Sequence, residues 1–576
     1  MFRKRIQAWR HSPLVLFLAL LVSGSSLFAQ TAPIVQRLSP NTLFYVEWRG
    51  KAFLTDAEKK NHVLQLMQDP AVAPLWIAAE SHLQQGVQKN SGAAAAMILP
   101  DAMSLLDNPV VFGLVANPDV TKSSAPDKAA SPIAFFFVYD TTGKTDLIQK
   151  WKALSQVGSK APIEVAKYDF GGTSVEVRTT GKNVSYNAEA ANYFLLSDRK
   201  QVIEDLITRF RSADRPATSI AQIPEYEQMQ KYIGTDAALE FSGRIPNVSE
   251  LTASDKNAKA MALFSKNIHL EKIHVVGGAV SFDGEAMRIR GAVLGDTSPG
   301  GPFDLAGASN TAFGIQPIMG SGPAFSVSRM NLAATYQLIS GAVMGSLTPQ
   351  QTTSVAAVEG LAQNFLGMPI ADALGLFTGE IGSVSSYSDD GTQEQLYAAT
   401  IQKPEAVLRI LRAVIGSMIV GEDSSGATTT LDIAYPYKDP ETGRQRKKFY
   451  YVAVTPQTVL VAPRKAMLRH AMQQLDPASG DPPPGGVFAN PEFSQLRSLL
   501  PGKLSGLSGA DFQQIPWDKV LANLENQWAE AAKQSNGQQP PDLSSLKPEV
   551  ITQHLHVALS GWWKDASGVY FDSYIQ

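Results

Sequence analysis

Histidine is scarce in this chain, so the two histidines at positions 554 and 556 are the first place to look for metal chemistry. The chain has eight histidines, and His554 and His556 lie two residues apart in an apolar–polar alternation that predicts a strand. On a strand both imidazoles point to one face, and neutral imidazole is a good ligand for zinc or copper. The sequence identifies no third ligand. The alternative interpretation is the solvated face of a half-buried strand, which the alternation alone predicts.

No nucleophile signature in the sequence leads to a catalytic prediction. The chain has no cysteine, which excludes thiolate nucleophiles, Cys-ligated zinc, iron–sulfur clusters and disulfides. Ser197 and Lys200 have the S-x-x-K spacing of a serine–lysine pair, but Ser197 before an amphipathic helix is better explained as its N-cap. The sequence contains neither a G-x-S-x-G elbow nor a G-x-x-x-x-G-K-[ST] phosphate loop. We therefore predict no catalytic residue and no cofactor.

A basic cluster with aromatic neighbours is the strongest local charge in the sequence. The cations are Arg444, Arg446, Lys447 and Lys448. The aromatic neighbours are Phe449, Tyr450 and Tyr451 after them and Tyr435 and Tyr437 on the preceding strand. A basic hairpin of this kind can dock on an anionic surface, which for an exported protein means lipid headgroups or envelope polymers. The alternative is a solvated hairpin tip whose aromatic side chains face the core.

The first 29 residues have the three-part plan of a secretory signal peptide. Residues 1–10 carry four lysines and arginines, residues 14–22 are apolar, and Ala29 is the small residue at the cleavage position. The apolar run is about half of the roughly 20 residues that a spanning helix needs. We therefore expect an exported protein of the periplasm or the extracellular cell envelope, held at a membrane only if this segment is not cleaved. That location and the formal net charge of −3 argue against a nucleic-acid partner.

The rest of the chain contains an internal repeat. Four short matches occur in the same order: 101–103 with 372–374, 199–200 with 464–465, 224–229 with 491–496, and 273–275 with 555–557. The four offsets are 372 − 101 = 271, 464 − 199 = 265, 491 − 224 = 267 and 555 − 273 = 282, and they differ as loop insertions would make them. We predict a signal peptide at 1–29, a first repeat at 30–295, a Gly/Pro/Ser-rich linker at 296–320 and a second repeat at 321–576.

Alternating strand and helix patterns predict an α+β fold for each repeat. Residues 135–138 have the composition of a strand, and residues 163–168 and 173–177 flank a Gly-Gly turn typical of a hairpin. In the second half, residues 429–434 and 449–454 show the same strand pattern. Several hairpins combined with helices favour an antiparallel or mixed sheet with covering helices over a doubly wound fold.

A short phrase after the signal peptide resembles a known family. Residues 38–47 read LSPNTLFYVE, which is similar to the Leu-Pro-x-Asp-Thr-x-x-Tyr-Val phrase that opens a domain of unknown function in bacterial exported proteins. Ser39 and Asn41 stand where that phrase has Pro and Asp. The second half, from Gly322, has lost most of the phrase. The resemblance implies a location outside the cytoplasm and no particular chemistry.

Our leading functional hypothesis is a non-catalytic binding or scaffold protein. Its partner would be a hydrophobic or lipid-like ligand or an envelope protein, because duplicated units commonly form a ligand site where they meet. The apolar helix faces that can line such a site are Leu64, Leu66 and Met67 in the first half and Leu338, Ile339, Val343 and Met344 in the second. The simpler interpretation places these residues in the core. The rival hypothesis is a metal-assisted or carboxylate-dependent hydrolase acting on envelope material, with His554 and His556 or paired acids as its working groups.

Overall fold

The structure, a computed structural model, describes most of the chain between Pro33 and Gln576. The described residues are 33–54, 57, 60–74, 105–116, 133–146, 148–149, 163–181, 183–211, 216, 218–244, 265–310, 312–347, 349–438, 443–475, 486–534 and 546–576. The predicted signal peptide at 1–29 and the match at 101–103 lie outside them. The described residues form an α+β fold in which the paired strands run antiparallel.

The first half of the described chain contributes strands β1 to β10 and helices α1 to α3. The strands are β1 (Thr42–Trp48), β2 (Val110–Ala116), β3 (Ile133–Asp140), β4 (Ile163–Phe170), β5 (Thr173–Thr180), β6 (Asn183–Ala190), β7 (Tyr193–Ser197), β8 (Leu239–Arg244), β9 (Ile273–Asp283) and β10 (Ala286–Gly295). The helices are α1 (His62–Gln68), α2 (Lys200–Arg211) and α3 (Pro224–Ile233).

The second half contributes strands β11 to β20 and helices α4 to α12. The strands are β11 (Ala324–Arg329), β12 (Phe377–Tyr387), β13 (Gln393–Ile401), β14 (Ile419–Ser425), β15 (Thr428–Lys438), β16 (Gln445–Val454), β17 (Thr458–Ala462), β18 (Gly506–Asp511), β19 (Val557–Lys564) and β20 (Gly568–Ile575). The helices are α4 (Gln316–Met319), α5 (Leu332–Ser346), α6 (Pro349–Leu366), α7 (Ile370–Gly375), α8 (Pro404–Ile415), α9 (Lys465–Leu475), α10 (Pro491–Leu499), α11 (Trp517–Gln534) and α12 (Pro548–His554).

All twenty described strands belong to one continuous sheet. In the first half the pairing order is β4–β5–β6–β7–β3–β2–β1–β8–β9–β10. In the second half the order is β14–β15–β16–β17–β13–β12–β11–β18–β19–β20. The last strands of the two orders, β10 and β20, pair with each other from Met287–Ile575 to Leu294–Gly568. The two halves are therefore joined by backbone hydrogen bonds.

Local sequence signals determine several of these elements. Gly171 and Gly172 have φ angles of 60° and 83°, which a two-residue hairpin turn requires, and they join β4 to β5 as predicted. Pro224 and Pro491 each occupy the first turn of their helix, where the missing N–H costs no hydrogen bond. Asn490 caps α10 by accepting a hydrogen bond from the Glu492 backbone N–H at 3.0 Å.

Helices cover the sheet and bury separate apolar clusters. In the first half, α2 packs on β6 and β7 through an apolar face with helical spacing. The residues of that face are Val202, Ile203, Leu206, Ile207 and Phe210. In the second half, α9 and α10 pack on one face of the sheet with Leu468 and Leu496. Helix α8 packs on the other face with Val407 and Leu408. The second half is therefore covered on both faces.

The connection between β10 and β11 folds against the second half. Phe303, Phe313, Ile315, Ile318 and Met319 are all buried, and the last four belong to the core cluster under α9 and α10. The Gly/Pro/Ser-rich composition of this segment therefore accompanies a packed connection. Among the described residues, no helix combines the length and the hydropathy that crossing a membrane requires.

Candidate functional site

A two-stranded arm extends from the sheet near β14. Strand β14 pairs with β15 only as far as Ile433, and β17 pairs with β16 only from Tyr451 to Val454. Beyond these points β15 and β16 are paired with each other, from Ala434–Phe449 to Lys438–Gln445. Every residue of 435–438 and 443–449 is exposed. We call these two stretches the basic arm.

Both faces of the basic arm carry aromatic and cationic side chains. Nearer the sheet, Ile433 and Tyr450 pack in the cluster that α8 covers, and side chains alternate across each strand beyond them. The arm residues on this α8 face are Tyr435, Tyr437, Arg446 and Lys448. The opposite face carries Pro436, Lys447 and Phe449. Tyrosine, lysine and arginine side chains have an apolar body and a polar end, so they are stable at an interface between an apolar phase and water.

The arm has a clear positive charge. Its cations are Lys438, Arg444, Arg446, Lys447 and Lys448. The sequence of the whole stretch 435–449 also includes Asp439 and Glu441, so its net charge is 5 − 2 = +3, against −3 for the full chain. The arm is thus an electropositive projection on a chain of opposite net charge, an arrangement that steers anionic surfaces to one place.

The structure places all four predicted cations, Arg444, Arg446, Lys447 and Lys448, on the arm. The alternative, in which the neighbouring aromatic side chains face the core, does not hold for three of them. Tyr435, Tyr437 and Phe449 are 50%, 37% and 46% exposed. It does hold for Tyr450 and Tyr451, which pack against core clusters on opposite faces of β16. The sheet ends between these two groups, and that is why their environments differ.

The predicted strand position of the two C-terminal histidines is wrong. His554 is the last residue of α12, and His556 lies just before β19, which begins at Val557. Pro548 in the first turn favours a helix start, and the helix then runs through the residues whose short alternation suggested a strand. His554 and His556 therefore do not project from one strand face.

Each of these histidines lies beside its own carboxylate. The Nε2 atom of His554 is 3.5 Å from Oδ2 of Asp69. The Nδ1 atom of His556 donates to the Glu492 carboxylate at 3.2 Å. A third histidine, His62 at the start of α1, has its ring centroid 5.0 Å from that of His556. The three histidines meet where α1 of the first half contacts α12 of the second.

One histidine of this cluster, His62, has a lowered pKa, which favours its neutral form. Burial lowers the pKa of His62, and the nearby His556 ring lowers that pKa further. The Nδ1 atom of His62 is buried and has no hydrogen-bond partner in the described part of the chain. Across the described residues, no group of three or more histidine and carboxylate side chains is arranged to hold a metal ion. The metal site at His554 and His556 stays a prediction without structural support.

Two carboxylates with raised pKa values are enclosed in the core of the first half. Glu47 is 1% exposed and accepts hydrogen bonds from the backbone N–H groups of Ile34 at 2.6 Å and Val35 at 3.4 Å. Burial raises the pKa of Glu47 to about 7. Glu240, also buried, is hydrogen-bonded to the Tyr45 hydroxyl. Neither carboxylate lies in an open cleft, so both are best explained as polar anchors within the fold.

Helices α5 and α6 expose large apolar side chains. On α6, Val358, Leu361 and Phe365 are 67%, 69% and 60% exposed, and their spacing of three and four residues places them on one face. On α5, Ile339 and Val343 are also exposed. Moving one fully exposed side chain of this size out of water is worth about 1.5–3 kcal/mol. We call α5 and α6 the apolar helix pair.

Of the apolar residues that the sequence suggested as lining a ligand site, some lie in the core and others on the surface. In the first half, Leu64 and Met67 are buried core residues and Leu66 is half-buried. In the second half, Ile339 and Val343 are exposed, whereas Leu338 and Met344 are half-buried. The faces that sequence reasoning paired across the two halves therefore do not line one common groove.

The apolar helix pair lies on the α8 side of the second half. Helix α6 contacts α8, and α8 contacts β16, whose Lys448 and Arg446 point to that side. The single charged side chain of the pair, Glu359 on α6, accepts a hydrogen bond from the Tyr336 hydroxyl on α5 at 2.6 Å. This bond raises the pKa of Tyr336 to about 12 and ties the only charge of the pair to the contact between its two helices.

Comparisons with known proteins identify no family for this chain. No protein-family model matches the chain, and no curated protein sequence matches it. A solved structure of TP0453, in its crystal form III, aligns with 48% of this chain and 85% of its own length at 9% sequence identity and a TM-score of 0.24. A similarity at that level carries no argument about function.

Proposed function

We propose that this protein is an exported, non-catalytic binding protein that docks on anionic lipid surfaces through the basic arm. The observation that carries the proposal is the projection of an exposed two-stranded ribbon with aromatic and cationic side chains beyond the rest of the sheet. Tyrosine side chains suit the headgroup level of a bilayer, and lysine and arginine are attracted to anionic headgroups. The proposed location rests on the signal-peptide pattern of residues 1–29.

The charge of the arm sets the scale of the expected binding. Each Lys or Arg close to an anionic membrane is worth about 1 kcal/mol. A net charge of +3 across 435–449 therefore corresponds to about 3 kcal/mol, or about a 100-fold preference for anionic over zwitterionic lipid. Because ions screen this attraction over about 10 Å at moderate salt, the preference should shrink as salt is added.

We further propose that the two halves arose by duplication of one α+β unit, with a signal peptide before the first and a short connection between them. The proposal is supported by the identical strand order of the halves, in which each strand of the second is numbered ten above its counterpart. Each half also inserts two helices at the same point, α2 and α3 after β7, and α9 and α10 after β17. The basic arm is then a specialisation of the second copy, because the equivalent β5–β6 hairpin lacks its cationic run.

The proposal is tested by comparing vesicle binding of the unmodified chain with that of a variant whose arm charge is neutralised. The substitutions Arg446→Gln, Lys447→Gln and Lys448→Gln lower the arm charge by three at exposed positions. The matched control replaces three exposed lysines of the first half by glutamine. The control lysines are Lys167, Lys200 and Lys231. Both triple variants have the same net charge and the same N-terminus.

Binding is measured by co-sedimentation with phosphatidylcholine vesicles that contain phosphatidylglycerol. We expect about a 100-fold weaker association for the arm variant, from about 3 kcal/mol of lost attraction, and wild-type association for the control. Equal loss in both variants would mean that only net charge matters. Wild-type association by the arm variant would contradict the proposal.

A further inference from the structure

We infer that the apolar helix pair inserts its exposed face into the same lipid surface on which the basic arm docks, so that α5 and α6 lie in the bilayer interface. This inference rests on the proposed function. The exposed apolar side chains are Val358, Leu361 and Phe365 on one face of α6, and Ile339 and Val343 on α5. None of the side chains described in α6 is fully buried, although most helices of a globular protein bury one apolar stripe.

The charge distribution of the helix pair fits lipid contact. Residues 332–366 contain no lysine or arginine, and their single acid is Glu359. The hydrogen bond from Tyr336 holds that carboxylate at the contact between the two helices, away from the Val358–Leu361–Phe365 face. Interfacial helices commonly carry their own basic residues beside an apolar face. In this protein the two features are separate: the basic arm carries the cations, and the helix pair carries the exposed apolar side chains.

The two surfaces lie on the same side of the second half, and this placement supports one shared occupant. Helix α6 contacts α8, and α8 covers the face of β16 that continues into the arm. A flat anionic bilayer offers negative headgroups to the arm and hydrocarbon to the helices at the same time. A second copy of this chain would cover the helix pair but would leave the positive charge of the basic arm without a negative partner, because the helix pair itself carries a single acid, Glu359.

The depth of insertion follows from the length and polarity of the helices. Helices α5 and α6 have 15 and 18 residues, and their described residues do not include a span long and apolar enough to cross a membrane. Several polar side chains accompany the apolar ones, such as Gln337, Ser354 and Asn364. The helices should therefore lie along the bilayer with one face in the acyl-chain boundary, at a depth of about 5–10 Å.

The absence of cysteine from the chain makes a single-site probe possible. A Leu361→Cys variant of the full chain is labelled with an environment-sensitive fluorophore and mixed with phosphatidylcholine vesicles that contain phosphatidylglycerol. The control is Ser498→Cys on α10, an exposed position on a helix that covers the opposite face of the sheet. We expect a blue shift and quenching by acyl-chain-brominated lipid at Leu361→Cys and neither effect at Ser498→Cys.

A second variant separates insertion from docking. Val358→Ser, Leu361→Ser and Phe365→Ser together replace exposed side chains, so the fold should survive, which circular dichroism checks. At high salt, where the arm is screened, we expect at least a tenfold loss of vesicle affinity. Vesicle binding by the labelled chain without any shift at Leu361→Cys would overturn the inference and leave the proposed function standing. No vesicle binding by the unmodified chain would overturn both. A blue shift that depends on protein concentration, without lipid, would identify a second copy as the occupant and overturn the inference.

Discussion

The junction between β10 and β20 should depend on one buried ion pair. Arg288 donates from Nε to Asp572 Oδ1 at 3.1 Å and from Nη2 to Oδ2 at 2.7 Å. The Asp572 side chain is 4% exposed and that of Arg288 is 25% exposed. The Tyr574 hydroxyl also donates to Asp572 at 3.2 Å, and its ring lies 5.0 Å from the guanidinium carbon of Arg288. The two side chains of this ion pair come from different halves of the chain.

Replacing Asp572 by Asn leaves the Arg288 guanidinium charge at the junction without its counter-ion. Removing one partner of a buried pair costs about 3–5 kcal/mol, and the partial exposure of Arg288 places the expected loss at about 2–3 kcal/mol. Urea unfolding followed by the fluorescence of the eight tryptophans and by circular dichroism measures it. Replacing both partners by leucine should recover part of the loss, because no unpaired charge remains.

The control for this prediction breaks an exposed ion pair. Lys231 Nζ lies 3.6 Å from Glu227 Oε1, and the two side chains are 74% and 62% exposed. Glu227→Gln should therefore cost less than about 0.5 kcal/mol. If Asp572→Asn were no more destabilising than Glu227→Gln, the reasoning that the buried pair stabilises the junction would be refuted.

Two predictions concern the pH dependence of stability. The fold raises the pKa of Glu47 from 4.5 to about 7 through burial, so its contribution to stability is present at acid pH and is lost as pH rises through about 7. Glu47→Gln should flatten the decline in melting temperature between about pH 4.5 and pH 7; an unchanged decline there would contradict the assignment. The fold lowers the pKa of His62 through burial and the neighbouring His556, so its contribution is present above about 6.5 and is lost as pH falls. The other charged groups that face it are His554, Glu285 and Glu492. His62→Gln should reduce the acid-side loss of melting temperature, and an equal acid-side loss in both chains would count against it.

Much of the secondary structure followed from local sequence. The Gly171-Gly172 turn and the strands around it were predictable because positive φ angles and alternation are local properties. The strands at β15 and β16 followed from their strand pattern in the same way. Pairing between β10 and β20 was not predictable, because it joins residues almost 300 positions apart, as in the pair Met287–Ile575, and no local signal specifies such a partner.

The candidate sites also combine features that local sequence predicts with features that depend on long-range contacts. The cations of the basic arm were visible as a run, and their exposure depends on where β14 and β17 end, which is a property of the whole sheet. His62 was missed because it lies 556 − 62 = 494 positions from His556 and meets it only through the contact between α1 and α12. The apolar face at Val358, Leu361 and Phe365 had a signal in its spacing. That signal is the same for a buried face, so the sequence did not distinguish surface from core.

Docking of the basic arm on anionic lipid should be visible first in the affinity ratio of the unmodified chain for two vesicle types. Phosphatidylcholine vesicles with and without phosphatidylglycerol are compared at an ionic strength of about 0.05 M, and the comparison is repeated at about 0.5 M. We predict a preference of about 100-fold for the anionic vesicles at low salt, from a net arm charge of +3, and most of that preference should be lost at high salt. Equal affinity for both vesicle types at low salt, or no binding to either, would contradict it.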